Sequence, residues 1–119
     1  DKGWYLNPTI FADATNQMRI CREEIFGPVI SVIRAENDQD AVTIANDSEF
    51  GLAGSVWAND ETHAREVADQ MDTGSIGINC FGFNTAAPFG GRKNSGIGTE
   101  LGIEGFLAYA KYKSTHYSH

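Results

Sequence analysis

At 119 residues and 41% hydrophobic content, the chain has material for one domain or a piece of one, because at that size it buries only about two-thirds of its unfolded surface. A formal net charge of -7 excludes a sequence-independent grip on nucleic acid, which requires clustered Lys and Arg to displace counterions from phosphates. No apolar run approaches the roughly 20 residues that cross a bilayer, and Asp1-Lys2-Gly3 lacks the charged-then-apolar pattern of a signal peptide; a soluble, cytoplasmic chain without membrane contact is expected, and the lack of an initiator Met fits a start in mid-protein.

Residues 5–11 form an apolar-rich run broken by Pro8, which reads as an edge strand or an extended approach because proline cannot donate to a ladder. Residues 18–24 fit a short helical turn. Gly27-Pro28 interrupts the chain and opens Val29-Ile30-Ser31-Val32-Ile33, a β-branched run that predicts a buried strand. A helix is predicted from Asp38, with Ala41, Val42, Ile44 and Ala45 at helical spacing and a stop near Asn46-Asp47-Ser48. Residues 52–58 predict a second strand. Asp60 is placed to cap the next helix, which runs to Met71; Ala64, Val67, Ala68 and Met71 mark one face, and Glu61, Arg65, Glu66 and Asp69 the other. Gly74 ends it, and residues 75–79 predict a third strand.

The order strand, helix, strand, helix, strand predicts an α/β fold with right-handed crossovers in a mostly parallel βαβαβ sheet. Parallel sheets are covered on both faces, so this is expected to be part of a three-layer sheet whose remaining cover comes from elsewhere. The Gly-rich stretch of residues 90–98 matches neither GxxxxGK[ST] nor GxGxxG between a strand and a helix, and reads as a structural turn. Residues 105–113 fit a helix end or the onset of a strand. Cys21 and Cys80 form no CxxC pair and have no His at ligand spacing, so two reduced, buried or half-buried thiols are expected, with no metal site and no disulfide. His116 and His119 read as surface residues.

Two segments carry a family resemblance. Glu23-Glu24-Ile25-Phe26-Gly27-Pro28-Val29 and, further on, Pro88-Phe89-Gly90-Gly91-Arg92-Lys93-Asn94-Ser95-Gly96 resemble, in the same order, two signature segments of the NAD(P)-dependent aldehyde dehydrogenase superfamily. The likeness extends from Gly3-Trp4-Tyr5 to Tyr109-Ala110-Lys111-Tyr112-Lys113. It implies the latter part of that family's catalytic domain over residues 1–113. Residues 114–119 would begin an oligomerisation tail, in a dimer or a tetramer.

The implied reaction oxidises an aldehyde to a carboxylic acid with NAD or NADP. A cysteine thiolate adds to the aldehyde, hydride leaves the thiohemiacetal for nicotinamide, and water hydrolyses the thioester. The family's nucleophile, general base and dinucleotide fold have no counterpart in these residues, so no catalytic residue is assigned. The isolated chain is expected to be inactive, with the missing N-terminal part of the same subunit as its partner. Cys80, in Ser75-Ile76-Gly77-Ile78-Asn79-Cys80, matches the strand before the second signature and not the nucleophile's segment. The competing reading is a non-catalytic module acting only in assembly.

Carried over residue by residue, Glu24 matches the glutamate that grips the nicotinamide ribose. A carboxylate on a rigid turn can accept hydrogen bonds from both vicinal hydroxyls. Phe26 matches the aromatic that abuts the nicotinamide, and shares a face with Glu24 if the segment is extended. Asn79 matches a residue that braces the nucleophile's loop without touching the reactants. Phe89 matches an aromatic lining the aldehyde pocket. Phe81 and Phe83 fall in the family's variable stretch, here residues 81–87 without any charged side chain, which points to an uncharged aliphatic or aromatic aldehyde.

Overall fold

The computed structural model describes residues 2–118. Its first regular element, β1 (Thr9–Phe11), starts just past Pro8, where the missing proline N–H no longer interrupts a ladder. A short helix, α1 (Arg19–Arg22), then leads to β2 (Val29–Ser31). β1 and β2 pair in parallel with Thr9 opposite Val29 and Phe11 opposite Ser31. Backbone bonds from Thr9 to the Pro28 carbonyl (2.9 Å) and from Val32 to the Phe11 carbonyl (2.8 Å) extend the pair.

Helix α2 (Asp38–Asn46) is set by its ends. Asn37, in an extended conformation, accepts from the Asp40 N–H at 3.0 Å, and the Asp40 carboxylate accepts from the Glu36 N–H at 3.0 Å. This reciprocal arrangement is close to a capping box, and the acidic residues sit at the positive end of the helix dipole. At the other end, carbonyls that helix geometry leaves without partners are met from distant parts of the chain. Asn16 donates to the Ile44 carbonyl (2.8 Å), Lys93 to that of Asn46 (2.8 Å) and Arg22 to that of Asp47 (2.7 Å). Three separate segments thus converge on one helix terminus.

After α2 the chain makes β3 (Phe50–Gly51) and β4 (Ala53–Val56), then α3 (Glu61–Ala68), β5 (Ser75–Ile78), β6 (Arg92–Lys93) and α4 (Gly102–Leu107). Asp60 caps α3 as its side-chain chemistry predicts, accepting from Thr62 N–H at 2.8 Å and His63 N–H at 3.3 Å. Ala64 and Ala68, one turn apart, are 0% and 4% exposed; their small side chains let α3 lie close on the parallel pair β4 and β5. Asn46 joins α2 to the turn after α3, donating to the Gln70 carbonyl and accepting from the Asp72 N–H, both at 2.8 Å. β5 follows Gly74, whose missing Cβ matters: a side chain there would run into the Gly90 carbonyl.

The α/β class and the parallel pairing hold, but the ladders differ from those expected. The three predicted strands do not form one continuous sheet. β2 pairs with β1, β4 pairs with β5, and β3 pairs antiparallel with β6, giving three two-stranded sheets. The reason is that β1 supplies β2 with a partner through the short crossover containing α1, while β3 turns the chain into the antiparallel pair before β4 begins. The strands are also shorter than predicted. Asn79, at φ 53, leaves the extended region and stops β5 at Ile78.

The core is thinner than the hydrophobic content suggests. Ala14, Val42, Ala64 and Ala68 are its buried apolar members, and no large side chain is fully buried among the described residues. The radius of gyration is 19.2 Å with extents of 72 × 47 × 25 Å, against roughly 13–14 Å for a compact domain of this length. Ile10, Ile30 and Val32 of the β1–β2 region are 69%, 61% and 49% exposed. No helix among the described residues is long and apolar enough to cross a membrane. Residues 108–118 form no helix or strand, so the expected tail strand makes no ladder within this chain, and His119 lies outside the described residues.

Candidate functional site

A groove of about 410 Å³ opens beside β4 and β5, between their edge and the loop that follows β5. The loop starts at Asn79, whose left-handed backbone turns the chain while its side chain continues the ladder. Its amide oxygen accepts from the Ala58 N–H and its NH2 donates to the Ala58 carbonyl, each at 2.8 Å, so the carboxamide mimics a peptide group. Both side-chain hydrogen bonds of Asn79 thus go to Ala58.

The loop itself is held by a turn. The Asn84 side chain accepts from the Ala86 N–H and its carbonyl from the Ala87 N–H, each at 3.0 Å. Phe89 and Glu100 exchange two backbone bonds of 2.7 Å, which fixes Phe89 at the end of the loop. Its ring meets that of Phe83 edge-on, with centroids 5.0 Å apart and an interplanar angle of 81°, a favoured quadrupole arrangement. The structure brings Phe81, Phe83 and Phe89 to one groove, together with Leu52, Ile76 and Leu101. No charged side chain lines it.

Cys80 also lines this groove and is exposed, which corrects the expectation of two buried or half-buried thiols; Cys21 is half-buried. The exposure follows from its place, one residue past the turn at Asn79, where the loop leaves the packed face of the ladder. Both thiols are free, and among the described residues no group of His, Cys, Asp and Glu could hold a metal ion.

Glu24 and Phe26 lie elsewhere. Arg19 takes Glu23 in an ion pair of 2.7 Å across one helical turn, and that hydrogen bond holds the Glu23 carboxyl below its ordinary range. The neighbouring Glu24 is exposed and makes no hydrogen bond or ion pair with the described residues. Phe26 is 92% exposed and has φ 50. This overturns the premise that the segment is extended: a left-handed residue rotates its Cβ away from the simple two-residue alternation. Phe26 lines a separate hollow of about 370 Å³ with Glu23, Ile25 and Gly27. The expected cofactor and substrate residues therefore do not share a cavity in this chain, because β1–β2 and β4–β5 are separate ladders.

Past Phe89, the polar side chains of the second signature turn inward to the chain itself. Arg92 and Lys93 reach Asp72 at 3.2 and 3.4 Å. Asn94 N–H donates to the Glu49 carbonyl at 2.8 Å, and Ser95 Oγ accepts from the Gly51 N–H at 2.9 Å. Sequence reasoning missed Leu101 and Leu52 as groove residues. Nothing in their local pattern marks them, since Leu101 arrives through the isolated bridge between Phe89 and Glu100.

The α/β scaffold thus carries, beside its parallel pair β4 and β5, a groove lined by aromatic side chains and by no charged one. The aldehyde dehydrogenase family model matches residues 1–115, and the chain belongs to that family. It is 55% identical over 116 residues to a geranial dehydrogenase of Castellaniella defragrans and 44% identical over 117 residues to a betaine aldehyde dehydrogenase of Brucella melitensis, covering 98% of this chain in each case. The chain spans about a quarter of the length of these relatives, 24% of each. Among solved structures, a Mycobacterium tuberculosis aldehyde dehydrogenase complexed with NAD+ superposes with a TM-score of 0.84 at 51% identity, over 87% of this chain and 21% of that one. Aldehyde dehydrogenase C of Pseudomonas syringae, complexed with NAD+ and octanal, gives 0.86 at 45% identity, over 90% and 22%.

Proposed function

We propose that this chain works as one wall of an aldehyde-oxidising site, within an NAD- or NADP-dependent enzyme that turns an uncharged aldehyde into a carboxylic acid. The observation that carries this reading is the groove in which Phe81, Phe83 and Phe89 converge without a charged side chain. Such a surface binds an alkyl or aryl chain by excluding water and offers no counter-ion to a charged substrate. The solved relatives with NAD+, one of them with octanal, support the cofactor and the substrate class.

The residues fit a dinucleotide's nicotinamide ribose to the extent that Glu24 has both carboxylate oxygens free of internal partners, on a turn anchored by α1 and Gly27-Pro28. Glu24 would accept from the ribose hydroxyls and Phe26 would present an apolar ring beside the nicotinamide. The bound nicotinamide supplies the acceptor for hydride. This chain's own contribution is orientation: Glu24 fixes the sugar, Phe89 and Phe83 hold the aldehyde's chain, and Asn79 keeps the loop in place through Ala58. The exposed apolar side chains of β1 and β2 are surfaces for the rest of the subunit to cover, and residues 113–118 remain available to a neighbouring subunit.

In a full-length enzyme carrying this segment, octanal should be oxidised at least about tenfold more efficiently, as kcat/KM, than an aldehyde of equal length ending in a carboxylate. Phe89→Ala should raise KM for octanal more than it lowers kcat. A preference for the carboxylated aldehyde would overturn the reading.

A further inference from the structure

Leu101 carries a side chain where the backbone suits glycine. Its φ of 58 and ψ of 174 fall in a region that glycine enters freely and other residues almost never occupy. The conformation is imposed from both sides. Glu100 is locked by its two bonds of 2.7 Å to Phe89, and the Gly102 N–H donates to the Thr85 carbonyl at 3.2 Å. Both partners belong to the aromatic loop, so Leu101 is the one residue between two ties from that loop to the start of α4.

The neighbouring position shows what the chain does when the backbone alone decides. Gly102 also has a left-handed φ of 59, and a Cβ there would meet the Pro88 nitrogen at 2.9 Å and the Ala87 carbonyl carbon at 3.0 Å. Glycine occupies that position, where a side chain has no room. At 101 a leucine is kept despite the strain, and it lines the groove with Phe83, Phe89 and Leu52. Strain of this kind collects at ligand-facing positions, where the geometry it enforces is of use.

We infer that Leu101 is a specificity-determining residue, held in a strained conformation so that its isobutyl group forms part of the surface on which the aldehyde's alkyl chain packs. The inference rests on the proposed reading of the groove. It requires that Leu101 act on long substrates and not on short ones, and that its removal by glycine relieve strain while impairing selectivity.

The test compares Leu101→Gly, Leu101→Ala and Leu101→Met in a full-length enzyme carrying this segment, with octanal and acetaldehyde as substrates and thermal unfolding as a second readout. Gly and Ala should each lower kcat/KM for octanal about tenfold and leave acetaldehyde within about twofold, since deleted apolar contacts are worth on that order. Met should retain octanal oxidation. Tm should be higher for Gly than for Ala, because only glycine accepts the backbone angle without strain. Equal losses for both aldehydes, no loss for either, or a Gly variant that is less stable than the Ala variant or fails to fold would each overturn the inference, the last by showing that the leucine serves the junction with α4. Failure of the wild-type enzyme to oxidise any aldehyde would instead refute the reading of the groove.

Discussion

The two motifs by which the family is recognised have opposite physical characters. Around Glu24-Ile25-Phe26 the chain is exposed, turns through a left-handed residue and leaves Glu24 without an internal partner. In Arg92-Lys93-Asn94-Ser95 each of the four polar side chains is engaged within the chain, with Asp72, the Asn46 carbonyl, Glu49 and the Gly51 N–H. One segment offers its groups outward; the other closes the chain on itself. The internal partners of a motif's polar groups tell the two characters apart.

The sharpest way to break this contrast is to add one methyl group to each side of it. Gly74→Ala drives a Cβ into the Gly90 backbone at the closed region, and should cost about 3 kcal/mol of unfolding free energy or prevent folding, because neither backbone can yield. Gly27→Ala in the open motif meets nothing nearer than Ile25 Cγ2 at 3.8 Å, and should stay within about 0.5 kcal/mol of wild type. Chemical denaturation of both variants of the full-length enzyme decides it; similar losses for both would erase the distinction.

A smaller effect is expected from Glu24→Gln, and it should fall on catalysis and leave stability untouched. Replacing one acceptor oxygen with a donor deprives a ribose hydroxyl of its partner, and a loosened nicotinamide should lower kcat about ten- to a hundredfold. The isotope effect on the aldehydic hydrogen should grow, while the unfolding midpoint stays put. Wild-type kcat and isotope effect in the variant would return Glu24 to an ordinary surface carboxylate.

The smallest effect concerns acid. The hydrogen bond from Arg22 and then that from Asn16 hold the Asp47 carboxyl below its ordinary range, and Arg92 does the same for Asp72. A carboxyl whose pKa is depressed on folding contributes stability above its unfolded pKa of about 3.9, and that contribution is lost as pH falls through the lower folded value. Asp47→Asn and Asp72→Asn should therefore flatten the acid limb of the stability curve below about pH 4. Added salt should weaken the same contribution, because these pairs are exposed.

What could be read without coordinates divides along the same line between local and distant chemistry. Asp60 was recognisable as a cap, and Ala64 and Ala68 as a packed face, because cap and periodicity are properties of a few consecutive residues, although the helix predicted to Met71 ends at Ala68. Phe89 was singled out through the resemblance and Phe81 and Phe83 by the charge-free stretch they stand in, and all three line one groove. The strand partners were not legible, since the choice of β1 over β4 as the neighbour of β2 depends on contacts between segments far apart in the chain. The same holds for Asn46, which looks like a helix stop and in fact ties α2 to the turn before β5. Phe26 misled because a two-residue alternation presumes an extended backbone that its φ of 50 does not provide.

The sparse interior has a calorimetric consequence. Heat-capacity change and denaturant slope both scale with apolar surface newly wetted on unfolding. Trp4, Tyr5, Phe26, Ile97, Tyr109 and Tyr112 are each at least 90% exposed already. This chain by itself should therefore melt broadly, with a heat-capacity increment well under the usual 12–15 cal/mol/K per residue, about the range for compact domains. A sharp transition should emerge only when another polypeptide surface dries those side chains.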